Sequence, residues 1–130
     1  MIKFSTLSVI TSIISFLLFV TLFLTPQLIF TLFEVEGNAS AYFLARRAAM
    51  LFLGYAVIAY IARHANNSNA RQAIILGIGT AMLSLSVLGA VELFRGFAGF
   101  GILLAMVTEF LLAIAYFLLW FLNRSEDLVS

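Results

Sequence analysis

Four long apolar segments, separated by short polar connections, account for nearly the whole chain. A helix needs about 20 residues to cross the hydrocarbon core of a bilayer, and each segment is long enough. Because a helix satisfies its own backbone polar groups in lipid, the pattern predicts an all-α, four-helix transmembrane bundle that forms a single domain. The predicted spans are residues 7–25, 41–62, 73–94 and 101–122 of a domain covering 1–130.

Pro26 interrupts the first apolar segment, which carries no charge from Phe4 to Phe33. Proline lacks a backbone donor and disfavours helical geometry at Thr25 before it. We therefore expect the first span to end near Thr25, and the stretch from Gln27 to Phe33 to lie along the membrane interface. The apolar run far exceeds the roughly 7 to 15 residues of a signal peptide, so we expect it to remain as a span.

The composition is that of a protein surrounded by lipid. Hydrophobic residues make up 64% and charged residues 10% of the chain, and the mean hydropathy is +1.15, whereas an ordinary soluble domain has about 25% charged residues. The formal net charge of +1 gives no indication of a nucleic-acid partner. Because the sequence has no cysteine and one histidine, we expect no metal site and no cofactor.

Positive charges near the segment ends favour an orientation with both termini on the inner side, because translocated loops tend to lack lysine and arginine. Arg46 and Arg47 lie inside the second apolar segment and are not counted as loop charges. The outer side then holds Arg95, whereas the inner side holds Lys3, Arg63, Arg71 and Arg124 together with the terminal amine.

Glu109 is the most informative residue, because it lies in an otherwise uncharged segment. A charged side chain costs about 2.5 to 3.5 kcal/mol at the centre of a membrane helix, so we expect Glu109 to have a partner. At about 1.5 Å per residue, Arg46 and Arg47 lie roughly 6 to 9 Å below the outer face, and Glu109 lies roughly 10 to 12 Å below it. We expect nothing comparable in the inner half. The predicted outer cluster contains Tyr42, Arg46, Arg47, Glu92, Arg95 and Glu109.

Three interpretations of this cluster remain open: structural ion pairs, a ligand site, and catalysis or proton movement. In the structural one, Glu109 pairs with Arg46 or Arg47, Glu92 pairs with Arg95, and the charges hold the helices in register. A pair about 4 Å apart gains about 4 kcal/mol at an effective dielectric constant of about 20, which is comparable with the insertion cost. Because the free energy gained by pairing only offsets the cost of placing the charges in the membrane, pairing alone does not explain the cluster. The competing interpretation is a ligand site.

The ligand interpretation predicts a noncatalytic binding or accessory protein in the lipid bilayer. Its pocket would hold an anionic lipid, a quinone-like amphiphile or a membrane partner, in a homo-oligomer or a larger membrane complex. The alternative is a small membrane enzyme or proton-coupled transporter that uses Glu109 as acid and base on a lipid-soluble substrate. A Ser-His-acid arrangement is unavailable, because the single histidine, His64, is predicted at the opposite end of the bundle.

Small residues recur at every fourth position in the second and third spans. Such rows let two helix backbones approach closely, so they predict the contact faces of the bundle. The rows are Ala41-Ala45-Ala49, Gly77-Ala81 and Ser86-Ala90.

The order of the segments and a few positions resemble a known family. The first helix ends in Phe23-Leu24-Thr25-Pro26, the second opens with Leu44-Ala45-Arg46-Arg47, and the fourth carries Val107-Thr108-Glu109-Phe110. The chain is similar to the small four-helix bacterial membrane proteins of the DoxX-like type and to neighbouring domains of unknown function. It differs from that pattern where Leu44-Ala45 replaces an acidic residue before the arginine, and where Glu92 replaces a basic one. The resemblance implies a bacterial inner-membrane bundle and supplies no activity.

Overall fold

The computed structural model describes residues 3–129, with side chains described up to residue 123. Four helices are long and apolar enough to cross a membrane, which confirms the predicted all-α, four-span architecture and makes the chain a multi-pass membrane protein. A short fifth helix follows the first span. The helices are α1 (Phe4–Leu24), α2 (Pro26–Leu32), α3 (Ala39–Ala62), α4 (Asn69–Phe94) and α5 (Ile102–Val129).

Two spans begin earlier than their apolar segments, because polar side chains cap them. The Asn38 side-chain oxygen accepts a hydrogen bond from the Ala41 amide at 2.8 Å, and the Ser68 hydroxyl accepts one from the Arg71 amide at 3.2 Å. These caps satisfy amides that have no partner within the helix. As a result, α4 begins at Asn69, and the polar first turn of α4 was missed by hydropathy.

The break after the first span lies at the predicted position. Thr25 has backbone angles of φ −136° and ψ 64°, which are outside the helical region. Pro26 then takes the first position of α2, where its missing amide hydrogen leaves no helical bond unmade. The short helix α2 contacts both α1 and α3, so it packs on that pair of spans.

The spans associate as two antiparallel pairs, α1 with α3 and α4 with α5, and contacts between the pairs are sparse. Small residues form both interfaces. On α3, Ala49, Ala56 and Ala59 are buried, and the Ser12 hydroxyl of α1 donates to the Ala56 carbonyl oxygen at 2.8 Å. The loose packing between the pairs leaves room for a cavity.

The small-residue rows predict the right kind of interface but only some of its residues. Ala49 is fully buried, as the row in the second span implies. Gly77, however, has open space around it, so the α4–α5 contact does not run along Gly77-Ala81. Instead, Gly79 and Gly89 face α5, and a Cβ atom on Gly89 would lie 2.7 Å from the Met106 side chain. The Gly77-Ala81 row therefore misses the contact face of α4. Ser86, from the other predicted row of this span, is buried and donates to the Met106 carbonyl oxygen of α5 at 3.1 Å.

The bundle has two chemically distinct ends. We call the end that holds Lys3, the 63–68 connection and Asn123 the inner end, following the predicted orientation, and the end that holds the 33–38 and 95–101 connections the outer end. Two charges of the orientation argument, Arg124 and the terminal amine, lie outside the side chains that the structure describes. At the outer end, the Gly99 amide donates to the Phe33 carbonyl oxygen at 2.7 Å and joins the two helix pairs.

Candidate functional site

Glu109 lies on α5, partly buried, at the border of two cavities in the outer half of the bundle. The larger cavity has a volume of about 420 Å³ and separates the two helix pairs. The smaller one, of about 210 Å³, extends towards the outer end. Glu109 and Ala105 of α5 line both cavities, and Phe33 and Leu85 complete their shared wall.

The larger cavity is apolar except at a few positions. The polar residues in its wall are Thr11, Ser15, Thr108 and Glu109. The Thr108 hydroxyl donates to the Leu104 carbonyl oxygen of its own helix at 2.9 Å. Glu109, in contrast, makes no hydrogen bond or ion pair with any residue whose side chain the structure describes. An apolar cavity with one unpaired carboxyl group in its wall has the composition of a small-molecule site.

The Glu92–Arg95 pair forms as the structural interpretation predicts, with Arg95 Nη1 3.2 Å from Glu92 Oε1. The Arg95 side chain is 69% exposed, so the pair contributes little to stability. Glu92 lines the smaller cavity together with Glu109. Among the described residues, no group of three His, Asp or Glu side chains could hold a metal ion.

Arg46 and Arg47 are not part of this arrangement. Both are exposed on α3, and neither lines the two cavities that Glu109 borders. Within the described part of the chain, neither forms the expected ion pair with Glu109. The physical reason is that the small-residue face of α3, which includes Ala49, packs against α1 and leaves the arginines outside. Their long side chains are free to reach the headgroup layer.

Tyr42 packs against the short helix α2 and the connection that follows it. Its ring meets the Phe30 ring edge-on, with centroids 5.0 Å apart. A Cβ atom added to Gly37 would overlap the Tyr42 ring, so Gly37 is needed for this close approach. Tyr42 therefore has a packing role in the structure, one turn away from the exposed Arg46.

A layer of hydroxyl groups below Glu109 was not predicted. Ser8, Thr11 and Ser15 are buried on one face of α1. Thr11 Oγ1 and the hydroxyl of the fully buried Tyr116 are 2.5 Å apart, and Ser8 Oγ is buried beside the same hydroxyl. The spacing of three and four residues in α1 is the sequence signal that identifies this face.

The inner end also holds a cavity, which contradicts our expectation that the inner half has nothing comparable. Its volume is about 450 Å³. The cations Lys3, Arg63 and Arg71 line it, together with His64 and Asn123. The sequence conceals this cluster because the start of α1, the 63–68 connection and the start of α4 contribute one part each. The excess of positive charge on the inner side was the available signal.

No protein-family model, curated protein or solved structure matches this chain. The resemblance to DoxX-like proteins therefore stays a prediction.

Proposed function

We propose that this chain is a noncatalytic binding protein of the bacterial inner membrane that holds a lipid-soluble amphiphile in the cavity between its helix pairs. The observation that carries the proposal is the unpaired Glu109 carboxyl group in the wall of a largely apolar cavity. The cavity volume of about 420 Å³ falls within the range of roughly 300 to 1,000 Å³ for small-molecule sites. The polar group of the ligand would lie against Glu109.

Glu109 determines which polar group fits. A carboxylate accepts hydrogen bonds and attracts a hydroxyl or an amine, as found in a quinol, a lipid alcohol or a lipid amine. The sequence favours an anionic ligand held by Arg46 and Arg47. That part of the hypothesis loses its support, because no lysine or arginine among the described residues lines the larger cavity. A neutral or cationic polar group is therefore the ligand that we propose.

The apolar wall of the cavity contributes shape more than affinity. Leu18, Leu22 and Ile29 offer a surface for an acyl or isoprenoid chain. The surrounding lipid tails are equally apolar, so moving such a chain from the bilayer into the cavity gains little from the hydrophobic effect. Selectivity for one amphiphile over bulk lipid must then arise from the contact with Glu109.

The test is native mass spectrometry of the protein extracted in a mild neutral detergent, with the retained small molecule and the assembly mass recorded together. Wild type is expected to retain a discrete adduct. Glu109→Gln should reduce its occupancy about tenfold, as expected for the loss of a hydrogen bond worth about 1.4 kcal/mol. Glu92→Gln is the matched control, because Glu92 lines only the smaller cavity. Equal retention in wild type and Glu109→Gln would refute the proposal.

A second pair of variants tests the cavity without changing charge. Ala105→Leu adds volume to the shared wall of the two cavities and should expel the ligand, while Ala73→Leu makes the same change at an exposed position on α4. The proposal predicts loss of the adduct in the first variant and retention in the second. Retention in both would place the ligand elsewhere.

The hydroxyl layer favours one alternative, a proton-coupled transporter or enzyme that uses Glu109. Thr11 and Ser15 line the Glu109 cavity, Tyr116 bonds to Thr11, and Ser5 lines the inner cavity. Hydroxyl groups therefore occur along α1 between the two cavities. In liposomes that contain a pH-sensitive dye, this alternative predicts proton entry that is lost in both Glu109→Gln and Tyr116→Phe. The binding proposal predicts the same slow proton leak in wild type, Glu109→Gln and Tyr116→Phe.

A further inference from the structure

We infer that the inner cavity is a binding site for a phosphate-bearing anion, of the chemistry shared by an anionic phospholipid headgroup and free phosphate. The inference is independent of the proposed function, since none of the residues that line this cavity lines the Glu109 cavity. The cavity is at the inner ends of α1, α4 and α5, where a headgroup would meet the bundle.

Electrostatics favour an anion at this position. Lys3, Arg63 and Arg71 all line the cavity, and no carboxylate is found among the described lining residues. The acidic residues with described side chains are in the outer half of the fold, at positions 34, 36, 92 and 109. Glu126 and Asp127, near the end of α5, lie outside the described side chains. Three cations that converge on one cavity repel each other unless an anion is present, and basic pockets between membrane helices bind phospholipid headgroups.

The guanidinium groups are held in place by neighbouring rings and carbonyl oxygens. Arg71 lies over the Phe4 ring, 4.5 Å from its centroid, and donates to the Ala65 carbonyl oxygen at 3.2 Å. Arg63 stacks on the Tyr60 ring at 3.9 Å and donates to the Tyr60 carbonyl oxygen at 2.5 Å. Each arginine retains further N–H donors. Because these contacts restrict both side chains, less conformational entropy is lost when an anion binds.

Two buried donors without partners provide an independent observation that points to a ligand. Arg71 Nε and Asn123 Nδ2 are buried, and neither has a hydrogen-bond partner in the described structure. The Asn123 side chain is 8% exposed, and both residues line the cavity. Buried donors are almost always satisfied in folded proteins. The tendency of inner loops to carry positive charge explains the cations but not these two donors, which belong to residues of the cavity wall.

The test is titration of the detergent-purified protein with phosphatidylglycerol or phosphatidylcholine of the same acyl chains, followed by native mass spectrometry. Wild type should prefer phosphatidylglycerol. Each cation near a headgroup contributes about a fivefold gain in affinity, so Arg63→Gln with Arg71→Gln should weaken phosphatidylglycerol binding about thirtyfold. Arg46→Gln with Arg47→Gln removes the same charge from the exposed face of α3 and should change it less than about twofold.

A third variant covers the risk that loss of the Arg71 contacts destabilises the fold. The Lys3 side chain is exposed and makes no hydrogen bond or ion pair with a described residue, so Lys3→Gln should reduce phosphatidylglycerol binding about fivefold in a fully folded protein. Equal binding in wild type, Lys3→Gln and the Arg63/Arg71 variant would overturn the inference. So would an equal loss in the Arg46/Arg47 control.

Inorganic phosphate, as a competitor, distinguishes the two sources of the anion. Displacement of phosphatidylglycerol from wild type by phosphate would support recognition of the phosphoryl group in a lipid. Phosphate binding that depends on Arg63 and Arg71, without preference for phosphatidylglycerol over phosphatidylcholine, would identify the free anion as the ligand. A wild type that neither prefers phosphatidylglycerol nor binds phosphate through Arg63 and Arg71 would overturn the inference.

Discussion

The larger of the two cavities at Glu109, here called the outer cavity, and the inner cavity differ far more in chemistry than in size. Their volumes are about 420 and 450 Å³. The outer one has a largely apolar wall with the unpaired Glu109, whereas three cations and the buried amide of Asn123 line the inner one. The charged groups in the walls of these two cavities therefore differ in sign, which the formal net charge of +1 does not show. Net charge conceals such an arrangement, and the position of each charge in the bundle reveals it.

A packed layer keeps the two cavities apart. Leu112 lines the outer cavity and Leu119 lines the inner one, and Tyr116 lies between them on the same face of α5. Tyr116 packs with Leu7 of α1 and Ile75 of α4 in the main buried cluster of the bundle. This layer also joins the two helix pairs, which contact each other little elsewhere. The separation of the two sites and the stability of the bundle thus depend on the same residues.

Removing the layer should have the largest effect. Tyr116→Ala deletes a fully buried ring and should lower the free energy of unfolding by about 3 kcal/mol, because the surrounding helices relax only partly into the space. Tyr116→Phe keeps the ring and loses only the hydrogen bond to Thr11, which costs about 0.6 kcal/mol in membrane proteins. Unfolding in mixed detergent micelles, followed by circular dichroism, measures both. Equal stability of the two variants would contradict the role of this layer.

A smaller and more selective effect is expected at the outer junction, where the 99–101 turn packs against the end of α2 and joins the two helix pairs. A Cβ atom on Gly101 would overlap the Leu32 carbonyl oxygen, so Gly101→Ala must displace backbone there. We expect a loss of about 1 to 3 kcal/mol in unfolding free energy, with weaker ligand retention in the outer cavity and unchanged lipid binding at the inner one. Gly77→Ala is the control, since nothing lies within 4 Å of the added atom. Equal effects of the two substitutions would show that the junction does not shape the outer cavity.

The smallest effect is expected from the Glu92–Arg95 pair. Arg95→Gln breaks the 3.2 Å contact, but an exposed pair three residues apart on a helix contributes only about 0.3 to 0.5 kcal/mol. The same unfolding measurement should therefore show almost no change, and both ligand sites should be unaffected. A loss above about 1 kcal/mol would indicate that this pair positions the outer cavity after all.

The fold was predictable to a much greater degree than the sites. Apolar segments of sufficient length indicate spans, and Pro26 marks the end of the first one, because these are local consequences of chain chemistry. Which face of each helix packs against its neighbours is not determined by local sequence. Depth places Arg46 and Arg47 near Glu109 but does not decide whether they face the interior or the headgroup layer. The small-residue face of α3 packs on α1 and leaves both arginines outside. Similarly, the basic cavity forms where the start of α1, the 63–68 connection and the start of α4 meet, and only the packed bundle determines that proximity.

The central claim is that the chain has two independent sites of opposite chemistry. It is tested most directly by one native mass spectrometry series on wild type, Glu109→Gln and the Arg63→Gln/Arg71→Gln double variant. Each protein is titrated with phosphatidylglycerol, and the endogenous adduct and the added lipid are recorded in the same spectra. The account predicts that Glu109→Gln loses the endogenous adduct and keeps phosphatidylglycerol binding, whereas the double variant does the reverse. Loss of both ligands in either folded variant, or of neither ligand in both, would contradict it.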